Sequence, residues 1–576
     1  MRIVGISTAH DSSVAIYCDG NIEYFMKEER LTRVKRDKQP FASIFEAAKF
    51  LENKKVDAVA ISAPVQTDQY IIAIKDLASK IFKTKNVYDM SALHHLCHAS
   101  TAFYNSGFNE ALIIIIDRNG SLHPDSRGLA LESETVFVAK YPNIFKEIKK
   151  NYWSTNIGPN SDIYLREFID KETKNKEGCK VKCESSYGIT KVYETATTLI
   201  GQHILENGKT MGLAAYGQVN NNFQNLFSET AIPNDSLFTH VLSHHDGSPA
   251  AIYKKHIPNM VRSVDKNNYQ LYADYAYQVQ KQTQEQVAKI IEECIEETKI
   301  KNICISGGYG LNVVANGYYI SRFPGINFFF EPLADDTGNS LGAAMLAYRQ
   351  MTEDNNIYPL KSTFFNGQEP EINPKLINKN ISFKIDYKKT KINKISDLLV
   401  SNKSVAIFNG KSEAGPRALG NRSILFYPNL ENSKDIVNEI KKREWYRPFA
   451  ACIMKEDSSD YFEMLEIKDS PYMTISFACK KETKKLFPGI VHVDNSCRVQ
   501  TVDEDNFYLY NLLKEVKKLT GHGILLNTSF NLAGSPLVET LDQALEVLLQ
   551  SSLDYLWVPQ NNILYWKNKL DKNTNV

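Results

Sequence analysis

The stretch "HHLCHAS" places His94 and His98 four residues apart. On a helix that spacing sets two imidazoles on one face, one turn apart, as two ligands of one metal ion would sit. Two carboxylates stand where they could join them. Asp117 ends the apolar run "EALIIIID", and Asp336 sits in "ADDTGNS" just ahead of a glycine turn. An acid at the carboxyl end of a buried strand points into the crevice where α/β proteins bind ligands. Two imidazoles with two such carboxylates make a mixed nitrogen and oxygen site, suited to iron, manganese or zinc rather than calcium. Taken singly, each aspartate reads equally as a turn-former or helix cap, and each histidine as an ordinary core or surface residue.

A second chemistry is written in arginine. Arg417 and Arg422 lie in "NGKSEAGPRALGNRS", Lys441, Arg443 and Arg447 in "KKREWYRPFA", and Arg498 in "HVDNSCRVQTV". They recur in short polar motifs rather than along a helix face. A guanidinium donates two parallel hydrogen bonds to a phosphate, so the group predicts a polyanion pocket. Nearer the N-terminus, "SGGYGLN" (Ser306 to Asn312) offers backbone amides beside a helix start, which favours a phosphate or nucleotide.

The elements that must hold these residues follow from the apolar pattern. "RIVGIS" opens the chain as a strand, and Asp19-Gly20 between two apolar alternations predicts a hairpin turn. "VDAVAIS" and "EALIIIID" are buried strands separated by helical pattern, and Leu271 to Thr298 reads as a long amphipathic helix. Two strand, glycine-turn, helix units follow, at Lys301 to Gly317 and Phe328 to Tyr348. Strands alternating with helices predict an α/β architecture. A polar, Asn-rich stretch from about Met351 to Asn380 reads as an interdomain connection, and the expected division is 1–355, a linker at 356–375, and 376–576.

Composition narrows the class. The chain has 576 residues, too many for one hydrophobic core, and its 68 basic and 67 acidic residues leave no electrostatic footprint for nucleic acid. The N-terminus lacks an apolar signal-peptide core, and no apolar run is long enough to cross a bilayer, so a cytoplasmic protein without a membrane partner is expected. Nine cysteines without a disulfide framework fit a reducing compartment. Cys179 and Cys183, without a second pair at zinc-site spacing, read as free thiols.

The motifs "GISTAHDSSVAI", "HHLCHAS", "GKTMGLAAYG", "ISGGYGLNVVANG" and "EPLADDTGNSLGAA" resemble, in order, the signatures of the O-carbamoyltransferases of nodulation-factor and antibiotic biosynthesis, the NodU/CmcH family. The arginine motifs and "ILLNTSFNLAGSPLVET" resemble the second domain of the same family, so the resemblance covers nearly the whole chain. It implies an N-terminal domain of the actin and sugar-kinase type, similar to the tRNA threonylcarbamoyl transferase, and a C-terminal α/β domain of the YrdC type.

The resemblance also implies a reaction. Carbamoyl phosphate and ATP, with Mg²⁺, form carbamoyl-adenylate in the C-terminal domain. The carbamoyl group then passes to a hydroxyl of a small-molecule acceptor in the N-terminal domain. His94, His98, Asp117 and Asp336 would hold the metal, Fe(II) or else Mn or Zn, with His95 outside the ligand set. His10, beside Asp11, would be the general base. Lys209, Gly212, Gly307, Gly308, Asn312, Arg417, Arg422, Arg498, Asn527 and Ser529 would bind nucleotide, and Lys441, Arg443, Arg447 and Thr528 the phosphates of the two substrates.

Dimers occur in that family, whose members carbamoylate aminoglycoside, macrolide, cephalosporin and lipochitooligosaccharide hydroxyls. Two stretches depart from its pattern. "DRNGSLHPDSRG" after Asp117 replaces a glycine-rich turn, and the segment from Asn156 to Gly188 is atypical; both flank the acceptor region. Two other readings compete: a tRNA threonylcarbamoyl-adenosine-forming enzyme, and a sugar or acid kinase of the actin-like fold.

Overall fold

The computed structural model describes residues 1–568 apart from 9, 65, 123–129, 154–171, 175–177, 185–187, 224, 228–263 and 265. Half of the first atypical stretch and most of the second therefore lie outside the described residues. The chain divides into two compact units: residues 1–21 with 53–360, and residues 22–52 with 361–576. No described helix is long and apolar enough to cross a membrane.

In the first unit β1 (Arg2–Ser7) and β2 (Ser13–Cys18) pair antiparallel. β4 (Ala58–Ser62) and β5 (Val87–Asp89) extend the sheet in parallel from β1. The turn predicted after β2 forms, with Asp19 and Gly20 both at positive φ, and leads into β3 (Asn21–Lys27). A second sheet is centred on β6 (Glu110–Ile116), whose β-branched run is buried from Ala111 onward. On one side β6 pairs in parallel with β11 (Asn302–Ser306), which pairs with β12 (Asn327–Phe330). On the other side lie β7 (Leu131–Lys140) and β8 (Ile144–Trp153), both antiparallel, then β10 (Lys180–Glu184) and β9 (Glu172–Lys174). The helices His94–Ser106 and Gly338–Thr352 pack on each other. A Cβ added at Gly342 would lie 2.0 Å from the Cys97 carbonyl oxygen, so their backbones nearly touch. The long helix forms over Tyr269–Thr298, two residues earlier than its apolar pattern indicates.

The second unit is built on one sheet. In sequence its strands are β13 (Ile385–Lys389), β14 (Val405–Phe408), β15 (Arg422–Phe426), β16 (Ala450–Met454), β17 (Ser476–Ala478), β18 (Ser496–Val502), β19 (Ile524–Ser529), β20 (Tyr555–Val558) and β21 (Ile563–Lys567). In space they run β13-β21-β20-β14-β15-β19-β16-β18-β17. Only β14/β20 and β16/β18 are parallel among these pairs. Residues 22–52 belong to this unit although they precede the whole first unit's remainder. Their Arg30 is fully buried and donates to Ser412, Glu539 and the Glu413 and Gly415 carbonyls. Mixed α/β architecture holds in both units, as the alternating pattern predicts.

Candidate functional site

His94, His98, Asp117 and Asp336 converge in the first unit. The two imidazoles occupy the first turns of the 94–106 helix, Asp117 follows β6, and Asp336 lies in the turn between β12 and the 338–352 helix. One ligand atom from each lies within 4.8 Å of all the others, and all four residues are buried. The two Nε2 atoms are 3.2 Å apart; His94 Nε2 is 3.5 Å from Asp117 Oδ2 and from Asp336 Oδ1, and His98 Nε2 is 3.4 Å from Asp336 Oδ1.

Local structure explains the convergence. The Gly308 amide donates to Asp117 Oδ1 at 3.0 Å, and Gly307, at φ +84°, lies so close to β6 that a Cβ there would meet the Ile116 carbonyl. The His94 amide donates to Ser121 Oγ, fixing the start of its helix. On the other side, the Ser7 hydroxyl donates to the Asp336 carbonyl and the Ser13 hydroxyl to the Thr337 carbonyl, tying the Asp336 turn to β1 and β2.

The group fits a metal. Burial alone would push its carboxyls up, yet the imidazoles, and for Asp336 His10 first, hold both aspartates below the ordinary carboxylate range. Burial would lower His94, but Asp336 and then Asp117 raise it to about 10. Two buried carboxylates beside two imidazoles form a nitrogen and oxygen donor set that can hold a metal cation. Asn339 supplies a hydrogen bond outside the ligand set. Its Nδ2 lies 3.2 Å from His94 Nδ1, and its Oδ1 is buried without a partner. Turning that amide over lets Oδ1 accept from Nδ1–H and leaves the Nε2 lone pair facing the carboxylates. His95 stays outside, bonded to Thr135 Oγ1 at 2.7 Å, and burial lowers it to about 4.

His10 reaches this group from the turn between β1 and β2. Its Nδ1 is 3.0 Å from Asp11 Oδ2, and its Nε2 is 3.9 Å from Asp336 Oδ2. Burial would lower it, but Asp336 and then Asp11 raise it to about 9. Asp336 is the largest single cause of that rise, and its charge is the one a bound cation would share.

Several residues expected to bind nucleotide make contacts within the protein. Asn312 caps the Val313–Arg322 helix, accepting from the Ala315 amide while exchanging hydrogen bonds with Gln280, so its side chain is committed to the fold. Gly308 spends its amide on Asp117. Lys209 and Gly212 lie on the Asn207–Ala214 helix, packed against the 269–298 helix, with Lys209 Nζ 2.8 Å from Glu206.

In the second unit the register gathers the distant motifs at one end of four adjacent strands. Ser423 is opposite Ser529, and Ala450 is opposite both Asn527 and Arg498. The 443–449 loop enters β16 at that end. Arg443 stacks on Phe449, 4.1 Å from its ring centre, and donates to Asn438 and the Pro448 carbonyl. Burial, then Arg447 and Arg498, hold Arg443 well below the usual guanidinium range; burial, then Arg417, does the same to Arg498. Among the described residues Arg498 Nε is buried without a hydrogen-bond partner, and Glu444 lies 3.6 Å from Arg447. Such a cluster of like charges is electrostatically suited to an anion. Lys441, lowered by burial and then by Arg443, donates to the Ser529 and Asn531 side chains and carbonyls and so braces the turn after β19. Thr528 is buried beside it, and Asn527 Nδ2 donates to the Ala418 carbonyl and Gln500.

Arg422 is a correction. It is 0% exposed, its nitrogens donate to the Val538, Asn409, Asn421 and Gly410 carbonyls, and it stacks on Phe408 at 3.8 Å. It joins strands and loops and has no donor left for a nucleotide. The sequence reading also missed Asn339, which lies three residues past Asp336, as well as the group of Arg118, Lys191 and Glu194, of which Arg118 and Glu194 act electrostatically on His10. Only Arg118, next to Asp117, carries a positional signal.

Residues 58–345 match the family described as carbamoyltransferase N-terminus, and residues 396–565 match carbamoyltransferase C-terminus. The chain is 26% identical over 586 residues to nodulation protein NolNO of Sinorhizobium fredii, covering 95% of this chain and 78% of that one. It is 32% identical over 271 residues to nodulation protein U of Rhizobium tropici, covering 47% and 44%. Among solved structures, full-length HypF in its phosphate- and nucleotide-bound form shares 12% identity at a TM-score of 0.38, over 61% of this chain and 56% of that one.

Proposed function

The chain belongs to the carbamoyltransferase family, and from that premise we propose that it is an ATP-dependent O-carbamoyltransferase acting on a hydroxyl of a small-molecule natural product. In this reading the second unit, of the YrdC type, binds carbamoyl phosphate and Mg²⁺-ATP among Arg417, Arg443, Arg447 and Arg498. Both substrates are polyanions, and coupled guanidinium groups favour them electrostatically. Water there cleaves carbamoyl phosphate to carbamate and phosphate, and a carbamate oxygen then attacks the ATP α-phosphorus, forming carbamoyl-adenylate as pyrophosphate leaves. The adenylate is consumed in the first unit, of the actin and sugar-kinase type.

His94, His98, Asp117 and Asp336 would hold a divalent transition metal, Fe(II) first among candidates, which supplies Lewis acidity toward a carbonyl oxygen when bound. The chain's own residues do the rest. Asp11 accepts from His10 Nδ1–H, which leaves Nε2 to take the acceptor's hydroxyl proton as that oxygen attacks the carbamoyl carbon and AMP departs. The buried ligand group excludes bulk water, which competes for the same carbon.

The observation that carries the reading is the juxtaposition of His10 Nε2 with Asp336 at the four-ligand group. The test follows pyrophosphate release from ATP with and without carbamoyl phosphate. Release that depends on carbamoyl phosphate supports the reading, whereas ATP turnover indifferent to it points to a kinase.

A further inference from the structure

Within electrostatic reach of His10 stands a largely buried charge group that the steps above leave unused. Glu194 Oε2 is 3.0 Å from Arg118 Nε and 3.5 Å from Lys191 Nζ, so one carboxylate oxygen serves two cations. Lys191 is 4% exposed and lies over the Trp153 ring at 5.4 Å; the Trp153 indole donates to the Arg118 carbonyl. Burial pushes the Lys191 ammonium down to about 8 despite Glu194, so the acid it shares with Arg118 does not offset the loss of water. One turn along the same face of the Ile189–Leu199 helix, Thr195 Oγ1 is buried with no hydrogen-bond partner among the described residues. The charges of Arg118 and Glu194 both act on His10.

We propose that Arg118, Lys191 and Thr195 form an oxyanion subsite beside His10, which holds a phosphate or carboxylate of the molecule reacting there. Glu194 keeps the two cations together and is partly displaced as counter-ion when that group binds. The subsite rests on the transfer reading for the identity of its ligand, which is either the phosphate of the adenylate or an acidic group of the acceptor. Its existence does not depend on turnover.

Crystals of the full chain soaked in sodium selenate test it by selenium anomalous scattering, with selenate affinity followed by calorimetry. The expected result is a peak within hydrogen-bonding reach of Arg118, Lys191 and Thr195. It should be lost in Lys191→Met, with binding weakened about tenfold or more, the worth of a charge-assisted hydrogen bond. Glu194→Gln removes the competing carboxylate and should tighten selenate; it guards against a Lys191→Met protein that fails to fold. A peak displaced by AMP but not by adenosine assigns the subsite to the adenylate, and one displaced by gluconate but not AMP assigns it to an acidic acceptor. No peak in wild type, a peak surviving Lys191→Met, or weaker binding in Glu194→Gln overturns the proposal. Selenate bound at the subsite of a protein that shows no carbamoyl-phosphate-dependent pyrophosphate release would keep the subsite and discard the transfer reading.

Discussion

Gly5 and Ser340 leave no room for a side chain between them: a Cβ on Gly5 would lie 1.8 Å from the Ser340 carbonyl oxygen and 3.1 Å from the Ala344 Cβ. This contact sets β1 against the 338–352 helix, next to the turn that carries Asp336. Gly5→Ala must therefore move backbone, and overpacking of this kind costs about 1–3 kcal/mol. The expected outcome is a lowered melting temperature together with loss of bound metal. Gly208→Ala, where a Cβ meets nothing within 4 Å, is the matched control and should leave both unchanged.

The four-ligand group should bind a transition metal in purified protein. Elemental analysis of the His94→Ala, His98→Ala double variant should find the site empty, and full metal content would refute the ligand assignment. Asn339→Ala keeps all four ligands but removes the partner of His94 Nδ1, so metal affinity should fall about 10–100-fold in a competitive chelator titration.

Arg422 and Arg498 should behave oppositely. Arg422→Met strands carbonyls in the interior and should destabilise the second unit by about 3–5 kcal/mol in a denaturant titration. Arg498→Met relieves like-charge repulsion and should keep or raise the melting temperature. It should also abolish the rise that pyrophosphate gives the wild-type protein. Equal damage from both variants would argue against an anion pocket.

Glu331 predicts a pH dependence. It is 0% exposed, and burial pushes its carboxyl up to about 8 although the Leu333 amide and Asn105 side chain donate to it. Between the ordinary carboxylate value and about 8, the unfolded chain has lost the proton that the folded one keeps. Stability should therefore fall as pH rises through that window, with a slope of at most about 1.4 kcal/mol for each step of one in pH. Glu331→Gln stays neutral, and a turned Asn105 amide, whose Oδ1 has no partner, can accept from it. Its melting temperature should be flatter from pH 5 to 8.

Much of the first unit was legible because its signals are local. The β6 run, the Asp19-Gly20 turn and the His94/His98 spacing each declare themselves within a few residues. The arginine motifs suggested a shared cluster of positive charge, but not which arginines would join it. Arg422 and Arg498 look alike in sequence, and only the strand register turns one into a brace and leaves the other in the cluster. Asn312 misled for a related reason, since an asparagine after a glycine turn caps a helix as readily as it meets a phosphate. Lys191 and Glu194 were invisible, because a charged pair three apart on a helix reads as a solvated face. Nothing in the local pattern of 22–52 marks it as part of the second unit.

That last placement has a consequence during synthesis. Arg30 leaves the ribosome early, yet the Glu539 it bonds is made 509 positions later. At about 5–20 residues per second the delay is roughly half a minute to two minutes. Until then a fully buried guanidinium and its helix have no native counterpart, and the first unit must begin to form around a segment it does not keep. A C-terminal fragment starting at the interdomain connection lacks that segment from the outset. It should refold only when residues 22–52 are supplied, either as a separate peptide or by circular permutation.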